Sequence, residues 1–236
     1  MRAVAAALLL AGSAAGQPAT PGLIIDQGSF TITVTGSAPV SGRETFAIRR
    51  APGGFQASGT VLFADRRLSP TLSTDPTGFP LSYALDVRSG PGRLERVSVA
   101  RDRAFLTLRA RVSEQESVRE LPATIARRAP DSALVGGTVI VDDDIVHQYY
   151  FLILGRREGT VSVVVPARRR VISMRVERLG PDSVRVGGKE LAAVRVRVTS
   201  DSDDERLVWI DGAGRILQLA RPEKHLMAVR DSPPQP

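Results

Sequence analysis

The 236-residue sequence contains no cysteine and no asparagine. Without cysteine there is no disulfide, so the fold has to be held by its own packed interior. Without asparagine there is no site for N-glycosylation. Aromatic residues make up only 5% of the chain, and of its 32 basic residues only Lys189 and Lys224 are lysine. The arginine excess reads as genomic composition rather than as function. Histidine occurs twice, as His147 and His225. Two imidazoles and no thiol fall short of the three or four ligands that a zinc site uses. G-x-S-x-G elbows, P-loops, dinucleotide fingerprints and H-E-x-x-H pairs are all missing from the sequence. So is any stretch of about 18 uncharged apolar residues, so no transmembrane helix is expected.

Net charge is +7, but its distribution argues against nucleic acid as a partner. The arginines alternate along strand-like segments instead of clustering beside aromatics, which suits solvated sheet faces. What remains is a weak attraction to anionic envelope surfaces.

The N-terminus carries a positive start, Met1-Arg2, a short apolar run from Val4 to Ala11, and small residues ending at Gly16. This pattern predicts a secretory signal peptide over 1–16, and therefore an exported, periplasmic or extracellular protein. Because no cysteine follows, a lipid anchor is not expected. Residues 17–22 read as a flexible lead-in, 23–230 as one β-rich domain and 231–236 as a disordered tail.

Within the domain, period-two alternation recurs about every ten residues. Phe30, Ile32 and Val34 alternate with Thr31, Thr33 and Thr35; Val194, Val196 and Val198 alternate with Arg195 and Arg197. Gly187-Gly188 suits a two-residue hairpin, and Asp211-Gly212-Ala213-Gly214 suits a turn. Residues 70–78 read as loop, because Pro70 lacks the N–H of a central strand residue. Residues 114–120 read as a charged edge strand.

One stretch departs from this pattern. Asp142-Asp143-Asp144 precedes Ile145, Val146, Tyr149, Tyr150, Ile153 and Leu154, which form a wide helical stripe. Gly155 and Arg156-Arg157 follow, as at a helix C-terminus. The aspartates are read as N-terminal caps, and the spacing predicts a helix over about 142–155. A buried strand is the competing reading, since the run is rich in β formers. The fold class expected is mainly β: a single antiparallel barrel or half-barrel of about 12 strands, with this helix packed against it.

Asp144-Ile145-Val146-His147-Gln148-Tyr149-Tyr150, Val186-Gly187-Gly188-Lys189-Glu190 and Arg206-Leu207-Val208-Trp209-Ile210-Asp211 carry a resemblance. So does Asp75-Pro76-Thr77-Gly78-Phe79-Pro80 in the first half. Together they resemble a broad group of bacterial exported β-barrel-like proteins of unknown function, distantly similar to the half-barrels that carry lipoproteins. The resemblance implies envelope location and a barrel-like fold, and it brings no catalytic residues.

The acidic string Asp201, Asp203, Asp204, Glu205 lacks the glycine and glutamate of an EF-hand, and reads as a solvated hairpin tip. Trp209, with Met174, Tyr149 and Tyr150, is the candidate lining of an apolar cavity in the curved sheet. The expected function is that of a non-enzymatic envelope protein binding an apolar small molecule, a lipid or an envelope protein on the concave face, without a cofactor. Two alternatives stay open: a structural interaction module with a filled core, and a hydrolase using carboxylates outside any motif.

Overall fold

The computed structural model describes residues 22–36, 39–90, 93–102, 105–131, 133–201 and 204–235. The predicted leader over 1–16 lies outside the described residues.

Alternating apolar and polar residues produce long strands joined by short turns. The first eight strands form a meander: β1 (Ile24–Val34), β2 (Val40–Ala51), β3 (Gly54–Phe63) and β4 (Arg66–Thr74), then β5 (Pro80–Ser89), β6 (Arg93–Asp102), β7 (Phe105–Val112) and β8 (Gln115–Pro122). Three short strands follow, β9 (Arg127–Arg128), β10 (Leu134–Val135) and β11 (Thr138–Ile140), and then the helix α1 (Tyr149–Ile153). The second meander comprises β12 (Gly159–Val165), β13 (Arg170–Val186), β14 (Lys189–Ser200), β15 (Glu205–Ile210), β16 (Ile216–Arg221) and β17 (Leu226–Arg230). Because β1 pairs with β17, the two meanders fuse into one 15-stranded sheet running from β11 to β8. Every pairing in it is antiparallel except β11 with β12. Strands β9 and β10 form a separate ribbon.

The sheet curls into a half-barrel whose two edges touch without forming a ladder. Thr138 N–H donates to the Thr124 carbonyl at 2.8 Å, and Thr124 N–H donates to Thr138 Oγ1 at 2.9 Å. The free strand β8 is exposed on both faces over most of its length, and Glu116, Arg119 and Glu120 guard it against edge-to-edge pairing.

The stretch from 138 to 157 is threaded through the curl. Running parallel to β12, β11 carries the chain to the end where the turns at 166–169 and 222–225 and residue Asp204 gather around Asp143. The chain turns there over 142–148, and α1 brings it back to the glycine-rich end, beside the turns at 75–79 and 211–214. Five residues are far too few for an autonomous helix. Burial holds this one: Tyr149, Tyr150, Phe151, Leu152 and Ile153 are all buried, in one continuous core with wall residues such as Phe55, Leu85, Val97 and Val163. Each such side chain contributes about 1.5–3 kcal/mol by leaving water.

A smaller cluster, Val184, Val186, Ala193, Trp209, Leu217 and Ala220, lies apart from this core. On β15, Val208 and Ile210 belong to the main core, whereas Trp209 and Leu207 belong to the smaller cluster, as the pleat requires.

Four expectations are corrected. The helix spans Tyr149–Ile153, with a 3-10 turn over Leu154–Arg156, and not 142–155. Its N-cap is Gln148, which makes no side-chain cap, because the three aspartates are bonded elsewhere. Residues 66–74 form strand β4 despite Pro70, which sits opposite Leu85. The β3–β4 ladder simply skips the position of its missing N–H, passing from Ser58↔Thr71 to Val61↔Leu68. Finally, residues 231–235 pack against the sheet: Ser29 and Thr31 hydroxyls donate to the Asp231 carboxylate at 2.5 and 2.7 Å, and Arg215 donates to the Gln235 carbonyl.

Candidate functional site

Polar ties hold the threaded segment, and they use Asp142, Asp143, Asp144, His147 and Arg157. Glu44 on β2 is fully buried and points inward. Its carboxylate accepts from Val146 N–H at 2.6 Å, His147 N–H at 2.9 Å and His147 Nδ1 at 2.6 Å. The turn before α1 is therefore capped from a strand about a hundred residues away. The imidazole stacks on Phe46 with the ring planes 2° apart, and its Nε2 has no partner among the described residues.

Asp142 accepts from Tyr83 Oη at 2.5 Å and from Ala167 N–H at 2.9 Å, while its own N–H donates to Gln148 Oε1 at 2.7 Å. Burial pushes its carboxyl up to about 6, against the opposing pull of the Tyr83 hydroxyl. Burial, and then the Asp142 charge, raises Tyr83 well above the usual phenol range.

Asp143 enters an ionic cluster with Asp204 and two buried arginines. Arg206 Nη2 reaches Asp204 at 2.9 Å and Asp143 at 3.3 Å, its Nε donates to Tyr149 Oη at 2.8 Å, and Arg221 Nη2 reaches Asp204 at 2.6 Å. Arg168 also pairs with Asp143. Burial acts to raise the Asp143 carboxyl, but Arg221 and Arg168 together outweigh it and hold it below the usual range. The acidic string after β14 thus contributes Asp204 to this cluster, where a solvated tip was expected. Asp144 pairs with Arg66 at 3.0 Å. At the other end, Arg157 is 1% exposed and donates to the carbonyls of Thr77 and Gly136, each at 2.5 Å. Burial lowers its guanidinium to about 10.

Of the four residues singled out in the sequence, three meet. Tyr149, Tyr150 and Met174 face the same interior, and Trp209 does not. Trp209 Nε1 donates to Asp182 Oδ2 at 2.8 Å, within the smaller cluster. The concave space that a ligand would need is filled by the chain's own segment.

One opening lies at the glycine-rich end. A cleft of about 380 Å³ runs between the end of α1 and the β15–β16 turn, lined by Tyr150, Ile153, Arg156, Arg178, Val194 and Ile210 among others. A second recess of about 470 Å³ shares Arg156, Arg178 and Val194 and continues along Leu179 and Pro181. Both volumes fall in the range of about 300–1,000 Å³ usual for small-molecule sites. The local backbone is unusual. Gly155 and Arg156 adopt consecutive left-handed conformations, φ 64° and 57°, and β13 bulges between Arg178 and Gly180. Left-handed non-glycine residues and bulges gather at functional rims. Sequence reasoning placed Arg156 at a helix C-terminus and missed Arg178, whose Leu179-Gly180-Pro181 context was the available signal. Among the described residues no cluster of three His, Cys, Asp or Glu is placed to hold a metal.

The curled sheet and its threaded core make the fold barrel-like. The chain is similar in structure to a β-barrel-like protein of domain of unknown function DUF1849 from Brucella abortus, at TM-score 0.55 and 9% identity over 90% of this chain and 98% of that one. It also aligns with a DUF1089 family protein from Pseudomonas aeruginosa at TM-score 0.38 and 11% identity, over 90% of this chain and 96% of that one. No family model matches the sequence, and no curated protein matches it.

Proposed function

We propose that this is an exported, non-enzymatic envelope protein that binds an apolar ligand in the cleft beside Tyr150, at the mouth of the half-barrel. The observation that carries this reading is the cleft itself. Its floor is the buried helix and its walls are Val194 and Ile210. Against a hydrolase stand the bonds of Glu44 and Asp142, which are spent on the chain's own donors. Export rests on the N-terminal pattern, and N-terminal sequencing of secreted protein should begin between Ala15 and Pro18.

The filled interior favours a second reading, a structural interaction module without a small-molecule site. Titration with the neutral dye N-phenyl-1-naphthylamine separates the two. Saturable binding by the parent protein, lost in Val194→Trp and kept in Val118→Trp on the exposed edge, supports the cleft. Absence of binding by the parent leaves the structural module.

A further inference from the structure

At the mouth of the cleft stand two guanidinium groups, those of Arg156 and Arg178, with no close ion pair among the described residues. Arg156 makes no ion pair among the described residues, and its left-handed backbone holds it at the junction of both recesses. Arg178 is 24% exposed and its Nε is buried without a partner. Its one carboxylate neighbour among the described residues is Glu158, 56% exposed and 3.6 Å away, too long and too wet to satisfy it. Burial pulls the Arg178 guanidinium down, Arg156 adds to this and Glu158 opposes it. The two arginines are thus close enough to repel.

The acids nearby do not cancel them. Asp211 is committed to the β15–β16 turn, accepting from Ala213 N–H, Arg215 N–H and Arg215 Nε at 2.7–2.9 Å. Asp131 accepts from Ala133 N–H at 3.1 Å. Among the described residues lining this cleft, Asp211 is held within its own turn, Arg178 has the long contact to Glu158 and Arg156 has no ion pair, and behind them the surface turns apolar through Tyr150, Ile153 and Val194.

We infer that this cleft takes an anionic amphiphile, its carboxylate or phosphate head between Arg156 and Arg178 and its chain against Tyr150, Ile153 and Val194. A planar guanidinium binds either oxyanion with two parallel hydrogen bonds, and a desolvated one gains more from it than a wet one. The inference rests on the apolar-cleft reading above and adds the head group.

Displacement of N-phenyl-1-naphthylamine by four ten-carbon probes tests it: decanoate, decyl phosphate, decanol and decyltrimethylammonium. Decanoate or decyl phosphate should displace the dye at concentrations about tenfold below decanol, the ammonium being weakest. Whichever anion is tighter identifies the head. Arg178→Gln and Arg156→Gln should each erase most of the anion's advantage while leaving decanol unchanged, and Glu158→Gln should widen it. Thermal melting confirms that each variant is folded. Equal displacement by decanoate, decyl phosphate and decanol overturns the anionic head and leaves the apolar cleft standing. If the dye does not bind the parent protein, both fall.

Discussion

Replacing Glu44 with alanine would leave three buried donors facing nothing: the N–H groups of Val146 and His147, and Nδ1–H of the imidazole. An unsatisfied buried donor costs about 1–3 kcal/mol. Three together come to roughly 3–9 kcal/mol, and some water entry at the new cavity moves the expectation to the lower half, about 3–5 kcal/mol. Against a typical total of about 5–15 kcal/mol, that is a large share of the fold's stability. Glutamine keeps one carbonyl acceptor and turns an amide toward the donors, so its cost should fall between the parent and alanine. Urea denaturation followed by the fluorescence of Trp209, which lies in the separate smaller cluster, reads the global change. Hydrogen exchange across residues 145–153 reads the local one, where protection should fall first. A loss below about 1 kcal/mol for alanine would show that the carboxylate does not anchor the segment, and the reasoning from its hydrogen bonds would be wrong.

Other perturbations separate neighbouring roles. Tyr149→Phe strips the buried Arg206 Nε of its acceptor and should cost about 1.5–3 kcal/mol, whereas Tyr150→Phe removes an unbonded hydroxyl and should cost under about 0.5 kcal/mol, both by denaturation. Asp142 holds its proton more tightly when folded, about 6 against 3.8, so its contribution is complete below pH 3.8 and lost as pH rises through 6. The stability difference between the parent and Asp142→Asn should accordingly shift against the parent by up to about 3 kcal/mol between pH 4 and pH 7, and a pH-independent difference would contradict the burial argument. Gly28→Ala would place a Cβ 2.8 Å from Nη2 of Arg230, whose guanidinium binds Asp26 through Nη2 at 2.7 Å and Nη1 at 3.0 Å. Displacing that buried pair should cost about 3–5 kcal/mol, and a neutral outcome in a melting curve would mean that the arginine relocates freely.

The strands were legible because their signal is local. Alternation alone identified the core face of β1 and of β14, and Gly187-Gly188 and Asp211–Gly214 marked real turns. Pro70 misled because a missing donor forbids one ladder bond and not the strand around it. The threaded segment was legible as an exception to the pattern, but its bonding was not. Three consecutive aspartates are what a helix start looks like, yet each was claimed by a distant donor: Asp142 by Tyr83, Asp143 by Arg206 and Arg221, Asp144 by Arg66. The cap came from Glu44, which no local window contains. Trp209 was placed correctly on a strand with two apolar faces, but which face packs in the main core depends on the register of β15, and its indole ends on the other side, bonded to Asp182. The cleft needs four segments brought together, so no spacing in the sequence announces it.

The joint between β1 and β17 has a consequence for the order in which the molecule can assemble. Each meander consists of hairpins between sequence neighbours, which close quickly, whereas Phe30 must find Arg230 and Val34 must find Leu226 across nearly the whole chain. A nascent chain therefore holds its first eight strands long before the residues that fill their inner face have emerged. During that interval Phe46, Leu85, Val97 and Leu108 line an open trough. Its exposure ends when residues 138–157 pack into it.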